Sequence, residues 1–351
     1  MVTRIERRII VINNLYPPQE LGGYGRSIFD FAQSLQSRGH KIQVLTSDAP
    51  YLYEIKQPET NIDRRLLLYG SYEELPPKCF EDSKETLAVI QHNINLIDNH
   101  IGTYHPDIVL IGNIDFLGIE VCKPFLEHNI PVIHHLGFKA PSYSIISTPN
   151  SPLYHLSTAS QFVKEQVQNL GYPLNDISVV YPGARVDQYK MPVLPNLEKL
   201  RISYASLVLK SKGIHTLIEA LGILHDEGFD FECKVAGDTP VQDFLNQLKS
   251  FVSTKGMEDK IELLGYLNRP QLIELFGRSN VLVFPSVSEE AFGISQVEGM
   301  AAGLALITSA TGGAAEIVEH GISGITFPPE DALALARALV SLLQDRQKWE
   351  E

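Results

Sequence analysis

Two glutamates, Glu290 and Glu298, stand eight residues apart in the stretch Pro285-Ser-Val-Ser-Glu-Glu-Ala-Phe-Gly-Ile-Ser-Gln-Val-Glu-Gly-Met-Ala-Ala-Gly303. On one continuous helix that spacing turns them about 80° apart. A more economical reading puts Glu290 in a loop and starts the helix near Gly293. Glu298 then follows Ile294 by four residues, on the same face and one turn down. Free backbone N–H groups near Gly293 and Ile294, together with the helix dipole, favour a phosphate there. Glu298 is placed to accept two hydrogen bonds from a ribose diol, and Glu290 to face a group on the other side of the phosphate. Gly293 lets the backbone approach closely, and small residues at 299, 301 and 302 let the helix pack tightly on its sheet. On spacing alone, two solvated glutamates on an ordinary helix account for the stretch equally well.

Other residues point the same way. Lys212-Gly213 opens a helix after a strand, where a lysine can neutralise a diphosphate. Gly22 and Gly23 lie in a glycine-rich turn ahead of the first predicted helix. His134 and His135 close a predicted strand, and alternation along that strand does not settle which imidazole faces a ligand. No Asp-x-Asp pair stands at a strand end, and Cys79, Cys122 and Cys233 lack metal-ligand spacing. They read as buried or partly buried free thiols. No metal is expected. No G-x-G-x-x-G follows the first strand, which argues against a dinucleotide-binding dehydrogenase.

The elements that must position these groups alternate between strand and helix. Strands are expected at 8–13, 41–46, 108–111, 131–134 and 177–181, with helices at 25–38 and 84–104 and an irregular stretch at 50–80. Pro182-Gly183 and Met191–Pro195 hold three prolines and read as a linker. The alternation then restarts, with strands at 201–205, 231–236, 261–264, 281–284 and 304–308 and helices near 213–227, 241–255, 269–278 and 294–302. This gives an α/β chain of two Rossmann-like, doubly wound domains, 1–185 and 186–351, facing a cleft. Open sheets of this kind bind ligands at the C-terminal ends of their strands.

Composition narrows the partners. Of the 351 residues, 44% are apolar and 20% charged, the balance of a soluble protein, and the length suits two domains. A net charge of −13 without a Lys/Arg run argues against nucleic acid. The first ten residues lack the pattern of a secretory signal, so a cytoplasmic protein is expected, with peripheral membrane association left open.

Glu290 to Glu298, following Phe-Pro-Ser and preceding Gly-Met-Ala-Ala-Gly, resembles the E-x7-E signature of the retaining family-4 glycosyltransferases. Tyr16-Pro-Pro-Gln-Glu-Leu-Gly-Gly-Tyr24 resembles that family's first loop, and Tyr181–Asp187 the segment entering its second domain. Thr311-Gly-Gly-Ala-Ala-Glu-Ile-Val318 resembles the segment after the signature helix and reads as mainly structural. The similarity runs from about residue 8 to about residue 345. It implies a GT-B fold and transfer of a hexose-type sugar from a nucleotide-diphosphate sugar to a saccharide, lipid-linked or small-molecule hydroxyl. It implies donor contacts from Gly22, Gly23, Lys212, Phe292, Gly293, Ile294 and Glu298, and catalytic roles for Glu290 and for His135, which is favoured over His134. No cofactor beyond the nucleotide sugar is implied. The sequence departs from the pattern at Leu207, where the family carries an arginine that clamps the diphosphate with the lysine. Lys210 is a candidate substitute, although a lysine lacks the planar fork of an arginine. That departure keeps a noncatalytic nucleotide-binding scaffold in view; a second alternative is another enzyme on the same two-domain fold, a nucleotide-sugar epimerase. The chain stops at Gln347–Glu351, in or just after a helix, where family members continue, and a truncated chain or a looser interdomain contact is expected.

Overall fold

The computed structural model describes residues 5–73, 77–173, 176–191, 195–239 and 241–344. The extreme N-terminus, the middle of the expected linker and the Gln347–Glu351 segment lie outside the described residues. The chain divides into two units, Met1–Pro182 and Gly183–Glu351.

In the first unit the order is β1 (Arg8–Ile12), α1 (Gly22–Ser37), β2 (Lys41–Ser47), β3 (Ile62–Leu66), β4 (Gly70–Ser71), β5 (Lys78–Cys79), α2 (Ser83–Tyr104), β6 (Ile108–Ile111), α3 (Lys123–Glu127), β7 (Val132–Leu136), β8 (Tyr154–Thr158), α4 (Gln161–Asn169) and β9 (Ile177–Val179). Seven strands form one parallel sheet in the order β3-β2-β1-β6-β7-β8-β9, and β4 and β5 make a small antiparallel pair. Ile9, Ile10, Val11 and Ile12 are all buried, because helices cover both faces of a parallel sheet. One core holds Ile10, Ile12, Ile97, Val109 and Phe125. A second, on the α1 side, holds Ile9, Val11, Ile28 and Val44.

The second unit contains α5 (Val186–Tyr189), β10 (Leu200–Ala205), α6 (Ile214–Asp226), β11 (Phe231–Ala236), α7 (Gln242–Thr254), β12 (Ile261–Gly265), α8 (Arg269–Gly277), β13 (Val281–Phe284), α9 (Ile294–Ala301), β14 (Ala305–Thr308), β15 (Ile325–Thr326) and α10 (Ala332–Gln344). Its parallel sheet runs β12-β11-β10-β13-β14-β15. Each sheet therefore reverses direction once, between β1 and β6 in the first unit and between β10 and β13 in the second. Loops leaving the two strands at such a reversal part to opposite faces and open a crevice at the strand C-termini.

Several expectations are corrected. The stretch 50–80 carries β3, β4 and β5 where irregular chain was expected. Strand β3 reads Ile-Asp-Arg-Arg-Leu and buries only Leu66, as a charged edge strand does. Helix α1 begins at Gly22, so Gly22 and Gly23 form its first turn and do not precede it. Strand β7 runs on to Leu136, two residues past its expected end. Cys79 is exposed, whereas Cys122 and Cys233 are buried, and all three are free thiols.

Candidate functional site

Lys212 and Glu290 come from the two loops that flank the reversal in the second sheet. Lys212 ends a 3-10 turn (Lys210–Lys212) after β10, and Glu290 lies in the loop after β13. The ammonium Nζ donates to both carboxylate oxygens, at 2.7 Å to Oε1 and 2.8 Å to Oε2. The Ser286 hydroxyl also donates to Glu290 Oε1. The carboxylate is 12% exposed and the lysine side chain 27%. A shielded ion pair with these three short contacts fixes both groups in direction.

Backbone hydrogen bonds lace the Glu290 loop on both sides. The N–H groups of Val287 and Ser288 donate to the Ser211 carbonyl at 2.9 and 3.0 Å. The Ser309 hydroxyl donates to the Ser286 carbonyl at 2.6 Å, and Thr311 Oγ1 to the Ser288 carbonyl at 2.8 Å. The Gly313 N–H donates to the Glu290 carbonyl at 2.8 Å. The Thr311–Gly313 block is thus structural in a definite sense, since it holds the backbone that carries Glu290. Gly213 has φ +70°, and a Cβ there would sit 1.7 Å from the Pro285 carbonyl oxygen. Only glycine lets the two loops meet this closely.

Gly293 caps α9 with φ +97°, and Ile294 is the first helical residue, as the spacing requires. A Cβ on Gly299 would lie 2.4 Å from Leu282, so its absence lets α9 settle onto β13. Glu298 is buried one turn below the cap. Tyr189 donates its hydroxyl to Glu298 Oε1 at 2.7 Å, and Arg269 approaches the same oxygen at 3.8 Å. Phe292 is 7% exposed. Leu207, at the position of the expected arginine, is 40% exposed. Its loop is braced at Gly237, where a Cβ would fall 1.8 Å from the Ser206 carbonyl oxygen.

In the first unit the corresponding loops follow β1 and β6. Ahead of α1, the Arg64 guanidinium donates to the carbonyls of Tyr16 (3.0 Å) and Pro17 (2.9 Å), fixing the chain that leads to Gly22 and Gly23. Gly22 needs its φ of +68°, which glycine reaches without strain. Tyr24, in the same first turn, donates its hydroxyl to the His135 carbonyl and so ties α1 to the end of β7.

His135 is placed differently from the expectation. Because β7 continues to Leu136, both histidines lie within the strand and point to opposite faces. His134 Nδ1 meets the Tyr154 hydroxyl at 2.8 Å. His135 Nδ1 meets Ser157 Oγ at 3.2 Å, and the ring stands edge-on to Phe31 at 5.0 Å. At 1% exposure the His135 imidazole presents no surface to a sugar. Burial pushes both rings down, His134 to about 3 and His135 to about 4, so both are neutral at pH 7.

Sequence reasoning missed several groups. Tyr189 and Arg269 flank Glu298 from remote segments. In the first unit Asp115 follows β6, with its N–H on Asn113 Oδ1 at 3.0 Å and its carbonyl accepting from the Tyr69 hydroxyl at 2.9 Å. Burial raises its carboxyl above the usual range, against hydrogen bonds from Asn113 and Ser142 that lower it. Tyr72, which meets Asn14 Nδ2, packs its ring 4.7 Å from Phe116. A carboxylate among tyrosines at a strand C-terminus suits a polyhydroxylated ligand.

Residues 187–351 match the family described as Glycosyl transferases group 1, and residues 21–188 match Glycosyltransferase Family 4. The chain belongs to the group 1 glycosyltransferases. Over 181 residues it is 29% identical to the amylovoran biosynthesis glycosyltransferase AmsK of Erwinia amylovora, a match covering 50% of this chain and 44% of AmsK. A match to the glycogen synthase of Mycobacterium tuberculosis is 25% identical and covers 96% of this chain and 86% of that enzyme. Among solved structures, Anabaena HepE in complex with UDP and glucose superposes with a TM-score of 0.75 at 19% identity, over 98% of this chain and 91% of that one. That likeness shows the GT-B fold. Among the described residues no helix is long and apolar enough to cross a membrane, and no group of His, Cys, Asp and Glu has the arrangement of a metal site.

Proposed function

We propose that this glycosyltransferase moves a hexose-type sugar from a nucleoside-diphosphate sugar to a hydroxyl of a saccharide, lipid-linked or small-molecule acceptor, with retention at the anomeric carbon. The observation that carries the reading is the Lys212–Glu290 pair, set at the sheet reversal beside the N-terminus of α9. The lysine and the Gly293 and Ile294 N–H groups offer positive potential to a diphosphate. Glu290 takes the sugar side and Glu298 the ribose. Glu298 is enclosed, so a ribose diol reaches it by displacing part of the cover around Tyr189 and Arg269.

In the proposed course the bond from the anomeric carbon to the phosphate oxygen breaks, and the acceptor oxygen bonds to that carbon from the same face. The nucleoside diphosphate leaves with the electron pair, and a phosphate oxygen accepts the acceptor's proton. No protein base is required, and Glu290 positions the sugar and steadies its developing positive charge. Gly22 and Gly23 are assigned to the donor's phosphate or sugar. His135 is reassigned to scaffolding, through its carbonyl and Tyr24. The positive charge of the site comes from Lys212 and the helix terminus, so we propose no metal. We place the reaction in the cytoplasm, at the inner membrane face where the acceptor is lipid-linked. The UDP and glucose named for the HepE complex support UDP as the first nucleotide to test.

Calorimetry with UDP, GDP and ADP tests the donor site. Glu298→Gln keeps the side chain's shape and removes its charge, and should weaken the best-bound nucleotide about tenfold or more, as loss of a charge-assisted hydrogen bond does. Unchanged affinity would remove Glu298 from the donor site. Incubation with the sugar nucleotide alone separates transfer from epimerisation, which needs no acceptor.

A further inference from the structure

Gln296 is the third residue of α9 and has no exposed surface. Neither its Oε1 nor its Nε2 has a hydrogen-bond partner among the described residues. A buried amide in that condition destabilises the fold relative to an apolar side chain of the same shape. Its location is specific. A Cβ on Gly293 would lie 2.6 Å from Gln296 Nε2 and 3.2 Å from the tip of the Phe284 ring. The Gln296 backbone N–H donates to the Gly293 carbonyl at 3.0 Å. The amide therefore occupies the seam between α9 and the end of β13, directly behind the cap peptide assigned above to the phosphate. Leucine would fill that seam at no polar cost.

We propose that Gln296 is a positioning residue that couples this seam to donor binding. When a nucleoside diphosphate settles on the Gly293 and Ile294 N–H groups, the Ala291–Gly293 peptides turn toward it. The Gln296 amide then hydrogen-bonds that turned backbone. This inference rests on the donor reading above. The physical logic is differential: an interaction made only in the bound state adds to affinity, and one left unmade in the free state lowers stability. A leucine at 296 removes both effects, so free-state stability and ligand affinity move in opposite directions. A purely structural glutamine cannot produce that pair of changes.

The test uses the full chain as wild type, Gln296→Leu and Gln296→Met, the last an unbranched side chain that guards against a packing failure peculiar to leucine. Thermal unfolding without ligand should rise by roughly 2–4 °C in the variants. Calorimetric affinity for whichever of UDP, GDP or ADP binds the wild type should weaken roughly five- to tenfold. Both movements are required. Unchanged affinity in both variants overturns the proposal, and so does a lower Tm in both, which would mean the amide is already satisfied in the free protein, for instance by an ordered water. A wild type that binds none of the three nucleotides sinks the donor reading and this inference together. A wild type that binds while the variants bind equally well sinks the role of Gln296 alone.

Discussion

At the scale of the residue, Lys212 and Glu290 hold each other in place. In the proposed reaction they divide the labour, the lysine meeting leaving phosphate charge and the glutamate the sugar. Lys212→Ala removes the cation and leaves the Glu290 carboxylate with only the Ser286 hydroxyl of its two side-chain donors. Turnover in a sugar-transfer assay should fall about 100-fold or more, the scale of losing one preorganised charge contact, and a rate within threefold of wild type would take Lys212 out of the leaving-group role. Glu290, Glu298, Lys212 and Gly293 were legible in the sequence because their meaning lies in local spacing around one strand end. Tyr189 was not legible, because it reaches Glu298 across 109 residues and no local pattern announces the pair. His135 was misplaced for a related reason. The end of β7 is set by pairing with β8, where His135 lies beside Ser157 and Leu136 beside Thr158, and β8 was not read as a strand.

At the scale of the element, the two loops at the second sheet's reversal act as one piece. Their contact depends on Gly213. Gly213→Ala must adopt a left-handed backbone and push the Pro285 carbonyl away from a 1.7 Å clash. A loss of more than about 2 kcal/mol in urea unfolding is expected, since the left-handed conformation alone costs an L-residue about 1–2 kcal/mol. A stability change below about 0.5 kcal/mol would show that the loops can separate freely. The strongly apolar strands β1 and β13 were readable because burial on both faces leaves a continuous hydrophobic run. The first turn of α1 was not, because Gly22, Gly23 and Gly25 lower helix propensity and mask it. Strand β3 was missed because Asp63, Arg64 and Arg65 break the apolar pattern; beyond the local pairs Asp63–Arg65 and Arg64–Glu59, Arg64 serves the Tyr16–Pro17 backbone and Asp63 meets His100.

At the scale of the whole molecule, the buried neutral histidines of β7 make stability depend on acidity. In the unfolded chain a histidine titrates near 6.5, and the folded values are about 3 for His134 and about 4 for His135. Below 6.5 the unfolded state takes up protons that the native state refuses. The stabilisation is fully present above 6.5 and is lost progressively as pH falls toward the folded values. Asp63 acts in the same direction at lower pH, its carboxyl held at about 2 by the Arg65 hydrogen bond against an unfolded value of 3.8. Asp115 acts in the opposite direction, since burial raises its folded value and its contribution fades as pH rises through it. Two histidines outweigh one carboxylate. The urea midpoint, followed by circular dichroism, should therefore decline from pH 7 to pH 5, and a flat profile over that range would mean the imidazoles are accessible to solvent.

The order β12-β11-β10-β13-β14-β15 also bears on how this unit can be taken apart. The strand that delivers Lys212 belongs to the first half of the second unit, and the strand that delivers Glu290 to the other half. No continuous fragment from one half contains both Lys212 and Glu290; their ion pair exists only where the two halves meet. The unit therefore works as a coincidence detector for its own assembly. Divided between β12 and α8, it would yield two pieces that are each silent, and the ion pair would return only as the central strands came together again.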